Sequence, residues 1–271
     1  MRLAAALLLS ITTPALAGLA AREVWLPIAG RALAGDGRMF LTTVTITNSS
    51  EREAAVTLSY FSSASPNKPP RSFGLRIAPR STATHELGPE LVLSDGPTGA
   101  LRITSDVPIE AAGRVHSGTV GSTFNAFPRE MAIASGESTR LRSGGAAVPY
   151  RLYAVETKGH PLYFAVRLFN AGGRHLGSRR LYLSALEQRA WNFNEAFTSM
   201  EIEGINGSGA IIAAGSATST ESRDVTAFEM ELPSRPRHGL GWPERAAYGA
   251  AAAVLLVAAV RRRQRWRLRT G

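Results

Sequence analysis

The sequence contains no cysteine. That excludes a disulfide framework, a thiol nucleophile and a thiolate metal site, and leaves core packing to hold the chain together. Histidines in metal-binding arrangement are also missing. His85, His116, His160, His175 and His238 show neither HxH nor HExxH spacing, so no zinc site is expected. His85-Glu86 reads as an ordinary surface pair. The glycine-rich runs Gly118 to Ser122 and Gly204 to Gly209 lack a P-loop lysine and a following helix, and read as hairpin turns. Gly136-Glu137-Ser138 lacks the GxSxG frame of a nucleophile elbow. Acidic residues are dispersed: Asp95 and Asp106 fall in turns and Asp36 stands alone, whereas a calcium loop needs several oxygens together. The chain is therefore expected to be non-enzymatic, with no catalytic residue, no cofactor and no metal.

Long hydrophobic runs are scarce too. The exception is Ala246 to Val260, an uncharged stretch of fifteen residues running directly into an arginine-rich end. A membrane span needs about 20 apolar residues across a core of ~30 Å. This run is short, and more than half of it is alanine, which drives insertion weakly. Ala246, Val254, Leu255, Leu256, Val257 and Val260 are the expected anchor residues. Arg261, Arg262, Arg263 and Arg265 are the expected stop-transfer residues, because basic flanks resist translocation. Membrane lipid is thus one expected partner. At the other end, Arg2, an apolar core from Leu3 to Ile11, and Ala15-Leu16-Ala17 have the layout of a secretory signal peptide. Cleavage is expected after Ala17, so that the mature chain starts at Gly18. The two ends together give an exported protein with one span and a cytoplasmic C-terminus, anchored in the inner membrane and facing the periplasm or cell surface.

The net charge of +10 points away from nucleic acid once it is located. Arg2 and the six arginines of the tail carry seven of it, leaving +3 spread over the rest. No basic block with interleaved aromatics remains, and no nucleic-acid partner is expected.

Between the ends the hydrophobic period is two. Val44-Thr45-Ile46-Thr47, Val56-Thr57-Leu58-Ser59-Tyr60, Leu75-Arg76-Ile77 and Leu101-Arg102-Ile103-Thr104 alternate apolar and polar residues, and Gly, Pro, Asn and Ser clusters separate them. That pattern predicts half-buried antiparallel strands and an all-β sandwich. Local helical hints occur only around Gly88 to Leu93 and Asn194 to Met200. The second half echoes the first. Val166 to Asn170 aligns with Val44 to Asn48, Leu181 to Leu183 with Leu75 to Ile77, Trp191 to Phe193 with His85 to Leu87, Gly209 to Ile211 with Gly99 to Leu101, and Ala227-Phe228 with Ala126-Phe127. The expected organisation is two tandem antiparallel β-sandwich (Ig-like) domains plus a signal peptide and one C-terminal helix. The segments are a signal peptide over 1–17, a first sandwich over 18–130, a connector over 131–145, a second sandwich over 146–232, a linker over 233–245, a membrane or sorting helix over 246–260 and a basic tail over 261–271.

Two resemblances follow from these residues. The stretches VWLPIAGRALAGDGRMFLTTVTITNSS, LRIAPRSTATHEL and GALRITSDVPIEAAGRVHS resemble the repeated β-sandwich modules of secreted Acidobacteria and related bacterial proteins, and FNAFPREMAIASGESTRL resembles their linker into a second module. The resemblance covers about residues 24–232 and implies fold and location, with no assigned chemistry. Trp242-Pro243-Glu244-Arg245, followed by the apolar run and the arginines, is similar to PEP-CTERM sorting tails, which implies that Pro243 and Glu244 belong to a sorting motif. Arg245 stands where that motif has its second proline.

A binding or structural role at the cell surface follows, with another envelope protein or a polysaccharide as partner. The loops Gly30 to Arg38 and Ser62 to Arg71 are candidates for contact. Arg235, Arg237 and His238 of the linker suit anionic head groups, and Tyr150, Tyr153 and Tyr163 are a candidate carbohydrate platform. The alternative is an envelope-assembly or secretion accessory acting by β-strand addition, which requires an uncovered edge strand free of charge.

Overall fold

The computed structural model describes residues 19–33, 37–66, 68–91, 98–143, 149–218 and 225–234. Those residues are all-β, apart from one 3-10 turn at Arg129–Met131. In chain order the strands are β1 (Ala21–Ala29), β2 (Ala32–Leu33), β3 (Met39–Asn48), β4 (Ala54–Ser62), β5 (Arg71–Ile77), β6 (Ser81–Glu86), β7 (Gly99–Ser117), β8 (Val120–Asn125) and β9 (Phe127–Pro128). Then come β10 (Ile133–Ala134), β11 (Ser138–Arg142), β12 (Tyr150–Glu156), β13 (Leu162–Phe169), β14 (His175–Leu183), β15 (Gln188–Phe193), β16 (Ser199–Gly207), β17 (Ala210–Thr218) and β18 (Val225–Glu229). Among the described residues neither local helical hint is a helix, and 92–93 of the first lie outside them. Residues 89–91 form a turn and 194–198 are irregular, because Gly88-Pro89 and the polar Asn194-Glu195 break the backbone ladder that a helix needs.

β7 organises the first half. Its N-terminal part pairs with β1 and β4, and its C-terminal part with β3 and β8. The exchange between the two sets falls at Ser105 to Ile109. There Pro108 lacks an amide for the ladder, and Asp106 accepts the Ala55 amide at 2.8 Å. β5 extends β4 and β6 extends β3, so two antiparallel layers share one bent strand. In the second half the layers are separate sheets. One has β17, β12 and β15, with β10 and β18 on the free side of β17. The other runs β11-β16-β13-β14.

The two halves pair their strands alike. β3, β4, β5 and β6 correspond to β12, β13, β14 and β15, the two parts of β7 correspond to β16 and β17, β8 to β18, and β1 to β11. Val44 lies between His85 and Gly113 just as Leu152 lies between Trp191 and Gly215. This corrects part of the sequence alignment. Val44 to Asn48 lies on β3, whose counterpart is β12, whereas Val166 to Asn170 belongs to β13 and the residue after it. Gly99 to Leu101 opens β7, whereas Gly209 to Ile211 leads into β17, and Phe228 answers to Phe124 and not to Phe127, since the two pair with Gly215 and Gly113. Half-buried strands share one alternation, so a slip by a whole strand leaves the pattern intact. Gly118 does turn a hairpin, between β7 and β8, with φ +59. Gly204 to Gly209 does not: β16 and β17 lie in different sheets, and Gly207 (φ +122) carries the chain around the corner between them.

Apolar side chains from both layers interleave in each half. Val24, Leu26, Val44, Ile46, Leu58, Ile103 and Phe124 build one core, and Leu152, Phe164, Val166, Leu183, Ile202 and Ile211 the other. Each large side chain withdrawn fully from water stabilises by ~1.5–3 kcal/mol, which substitutes for the missing cross-links. The cores exchange members: Trp25, Phe61 and Phe127 pack with the second, and Tyr153 and Ala214 with the first. The described residues, from Leu19 to Ser234, fall in one compact unit. The stretch 131–145, expected as a connector, supplies β10 and β11.

Candidate functional site

Where the halves meet, β8 lies against β18. The Asn125 amide and its Nδ2 donate to the two oxygens of Glu229 at 2.6 and 3.1 Å, and the Ser122 hydroxyl donates to the Val225 carbonyl. Gln188 Nε2 donates to the Pro27 carbonyl at 3.2 Å. These contacts close only part of the seam. Beside them remains a cavity of about 460 Å³.

Its walls come from both halves. Ala32, Leu33, Arg38 and Phe40 enter from β2 and the start of β3, and Val115, Ser122 and Phe124 from the β7–β8 hairpin. Arg151 and Tyr153 come from β12, Asn192 and Asn194 from the end of β15, and Ser216 and Thr218 from β17. Period-two alternation puts Arg151 and Tyr153 on the same side of β12, turned away from Leu152 and the second core. Tyr153 is buried against the edge of Phe124, ring centroids 6.5 Å apart, and its hydroxyl is 3.5 Å from Ser216 Oγ. The Arg151 guanidinium lies 5.5 Å from the Tyr153 ring, and that of Arg38 5.5 Å from Phe40. Among the described residues no aspartate, glutamate or histidine lines the cavity. The described lining is cationic, hydroxylic and aromatic, a chemistry suited to binding.

The sequence-expected site residues at the ends fall elsewhere. Ala15, Ala17 and Gly18, the sorting pair Pro243 and Glu244, the anchor residues from Ala246 to Val260 and Arg261 to Arg265 lie outside the described residues. No helix among the described residues is long and apolar enough to cross a membrane. Of the two candidate loops, Gly30 to Arg38 contributes Ala32, Leu33 and Arg38 to the cavity, and Ser62 to Arg71 contributes nothing. The tyrosine platform is corrected. Tyr150 and Tyr153 are buried at 2% and 6% exposure, because each packs on a core, and only Tyr163 is exposed. Its aromatic neighbour is instead Tyr182, directly across the β13–β14 pair at 4.7 Å.

The histidines do not converge. His85 stacks on Phe73 at 4.7 Å and meets Glu90 at 3.2 Å, while His116 meets Thr43 at 3.0 Å, and β3 runs between them. The Glu90 carboxyl is held below its ordinary value by its own and the Gly88 backbone N–H and by His85, with burial opposing. Among the described residues no group of acidic or histidine side chains could hold a metal. On the outer face of β13 and β16, Arg167 bridges Glu201 (2.8 Å) and Glu203, and Arg140 meets Glu201 at 3.5 Å. That ladder is half-buried and still reached by solvent, and stabilises by about 1 kcal/mol or less per pair.

Arg151, Asn192, Asn194, Ser216 and Thr218 were not singled out by the sequence. Each is one polar residue in an alternating strand or at its end; pairing in the β15-β12-β17 sheet sets Arg151 between Asn192 and Ser216, and only the walls from the first half reach them by packing across the seam.

No protein-family model matches the chain, and no curated protein matches it. Among solved structures, "Thermotoga maritima 1070" is 15% identical, covering 41% of this chain and 96% of its own, with a TM-score of 0.32. The PBSX exported protein XepA is 11% identical, covering 79% of this chain and 84% of its own, with a TM-score of 0.26. At such scores neither bears on fold or function.

Proposed function

We propose that the protein is an exported, membrane-anchored bacterial protein of two tandem Ig-like β-sandwich modules, with a non-enzymatic binding role at the surface or in the periplasm. The single observation that supports binding is the cavity at the seam, lined by arginines, amides, hydroxyls and aromatic rings and by no acid or histidine among the described residues. The matching strand pairing of the halves supports tandem modules related by duplication, similar to those of secreted Acidobacteria proteins. Export rests on the leader-like residues 1–17, and anchoring on the apolar run 246–260 with its arginines and the sorting-type Pro243-Glu244.

The strand-addition alternative is disfavoured at the β5 and β14 edges, while the β6 edge, paired only with β3, carries no Lys, Arg or Asp and a single carboxylate, Glu86. β5 carries Arg71 and Arg76, and β14 carries Arg179 and Arg180, charges that blunt an edge against a partner strand. The proposal is tested by mass spectrometry of both ends of the protein isolated from its host's membranes. The expected first residue is Gly18, with a C-terminus either at Gly271 or near Pro243. A chain recovered from the cytosol and beginning at Met1 overturns it.

A further inference from the structure

We infer that the cavity at the seam takes an acidic sugar, a polyhydroxylated ring bearing a carboxylate of the uronic-acid type. The inference rests on the reading of this cavity as the binding site and names its ligand class. Three features carry it. First, the charge of Arg151 lines the cavity with no described carboxylate among the lining residues. Arg151 makes no ion pair with a described residue, and its guanidinium rests only against the Tyr153 ring at 5.5 Å. A planar guanidinium held over an aromatic face presents its N–H fork edge-on, the geometry that receives a carboxylate through two parallel hydrogen bonds.

Second, the remaining polar groups suit hydroxyls. Asn192, Asn194, Ser216 and Thr218 offer donors and acceptors together, which a sugar ring needs and a simple inorganic anion does not. Third, Phe40, Phe124 and Tyr153 supply apolar walls for the C–H face of such a ring. About 460 Å³ is within the range of pockets that hold small molecules. A nucleic acid would ask for a wider basic surface, and a purely apolar ligand would leave Arg151 desolvated without a partner.

The test is calorimetric titration of the full-length protein in detergent with D-glucuronate, D-glucose and inorganic phosphate. Binding of glucuronate, with glucose and phosphate each weaker by about tenfold or more, is the expected result; that is the scale of one charge-assisted hydrogen bond. Arg151→Gln should lose the preference for glucuronate over glucose while keeping the wild-type melting temperature. Asn194→Asp, which adds a carboxylate to the wall and removes a donor, should weaken glucuronate by more than it weakens glucose. Equal binding of glucose and glucuronate overturns the inference, as does phosphate binding as well as glucuronate, no binding of glucuronate, or unaltered selectivity in a folded Arg151→Gln. If the terminal masses show an exported, anchored chain and glucuronate still fails to bind, the ligand class falls alone. A cytosolic chain overturns the functional reading whatever it binds.

Discussion

Asn48 and Glu156 occupy the same corner of the two halves and hold it by opposite chemistry. Each is fully buried and lies four residues beyond the corresponding pair Val44 and Leu152. Asn48 mainly donates: its Nδ2 reaches the carbonyls of Arg52, Ile77 and Ala78 at 2.8, 3.1 and 3.0 Å. Its Oδ1 accepts the Ser50 amide at 3.0 Å. Glu156 only accepts, from the amides of Lys158, Gly159, His160, Leu186 and Ala210 at 2.8 to 3.2 Å. Both corners also contain the non-glycine residues with positive φ, Arg80 at +50° and Leu186 at +55°. The backbone turn is alike in both halves, while the side chain that satisfies it has changed from carboxamide to carboxylate.

Glu156→Ala should therefore be among the most damaging single substitutions in the second half. It orphans several buried amides, at about 1–3 kcal/mol for each one that water does not reach. The expected loss is about 3 kcal/mol or more, read from urea unfolding of the full-length protein. Glu156→Gln keeps the shape but turns an NH₂ group toward N–H donors, and should cost about half as much. An alanine variant as stable as wild type would show that water replaces the carboxylate.

The strands were legible because alternation at Val44 to Thr47, Val56 to Tyr60 and Leu101 to Thr104 reports a half-buried surface wherever it occurs. For the same reason it does not say which strand is which: Val166 to Phe169 matches Val44 to Thr47 in pattern, yet the two lie on non-equivalent strands, β13 and β3. The clamps left a different kind of trace. Asn48 reads as a turn asparagine, but nothing in Val155-Glu156-Thr157 says that the carboxylate is buried, since its partners are backbone amides that carry no sequence signature. The cavity was the least legible of all, because Arg151 and Phe124 become neighbours only through packing of the halves.

Tyr150 gives a prediction of opposite sign. Its ring lies between Phe197 and Phe228, centroids 4.8 and 5.6 Å away, and its buried hydroxyl has no hydrogen-bond partner. Burial also pushes its ionisation upward. Tyr150→Phe removes an unsatisfied polar atom without changing the packing, and should stabilise the protein by about 1 kcal/mol. Gly215→Ala should do the reverse. A Cβ there would stand 1.8 Å from the Tyr150 hydroxyl and 2.3 Å from the ring carbon bearing it, so the loss is expected to be about 2 kcal/mol, within the usual range for overpacking. Tyr150→Phe should relieve only part of that loss, because the ring carbon remains. Thermal unfolding of the two single variants and the double variant checks all three.

Tyr60 sets an alkaline limit. It is 6% exposed, and burial raises its ionisation from 10.0 to about 12. The unfolded chain loses this proton near pH 10 and the folded chain only near pH 12, so the folded state holds more protons between them. The stabilisation is complete below pH 10 and is lost as pH rises toward 12. A shift of this size corresponds to roughly 2–3 kcal/mol. Tyr60→Phe should make the stability profile between pH 9.5 and 11.5 about half as steep, the buried Tyr150 supplying the rest, measured by denaturant unfolding. A variant that falls as steeply as the wild type would assign the alkaline loss to other groups.

Asn125 and Glu229 test how firmly the seam is held. They are equivalent positions, one residue beyond Phe124 and Phe228, which pair with Gly113 and Gly215. Each half thus offers the same strand position to the other, an amide on one side and a carboxylate on the other. The carboxylate receives both a backbone and a side-chain N–H, and only the second is removed by Asn125→Ala. Glu229→Ala removes both acceptors and should cost about 1–3 kcal/mol, more than Asn125→Ala. The double variant should lose less than the sum, with a coupling of about 0.5–1.5 kcal/mol, as expected for residues in one hydrogen-bonded network. Because β18 also borders the cavity, Glu229→Ala should weaken glucuronate binding through a looser wall, whereas Asn125→Ala, which keeps the backbone contact, should leave it near wild type. Additive losses in the double cycle would mean that β8 and β18 are held together by packing alone.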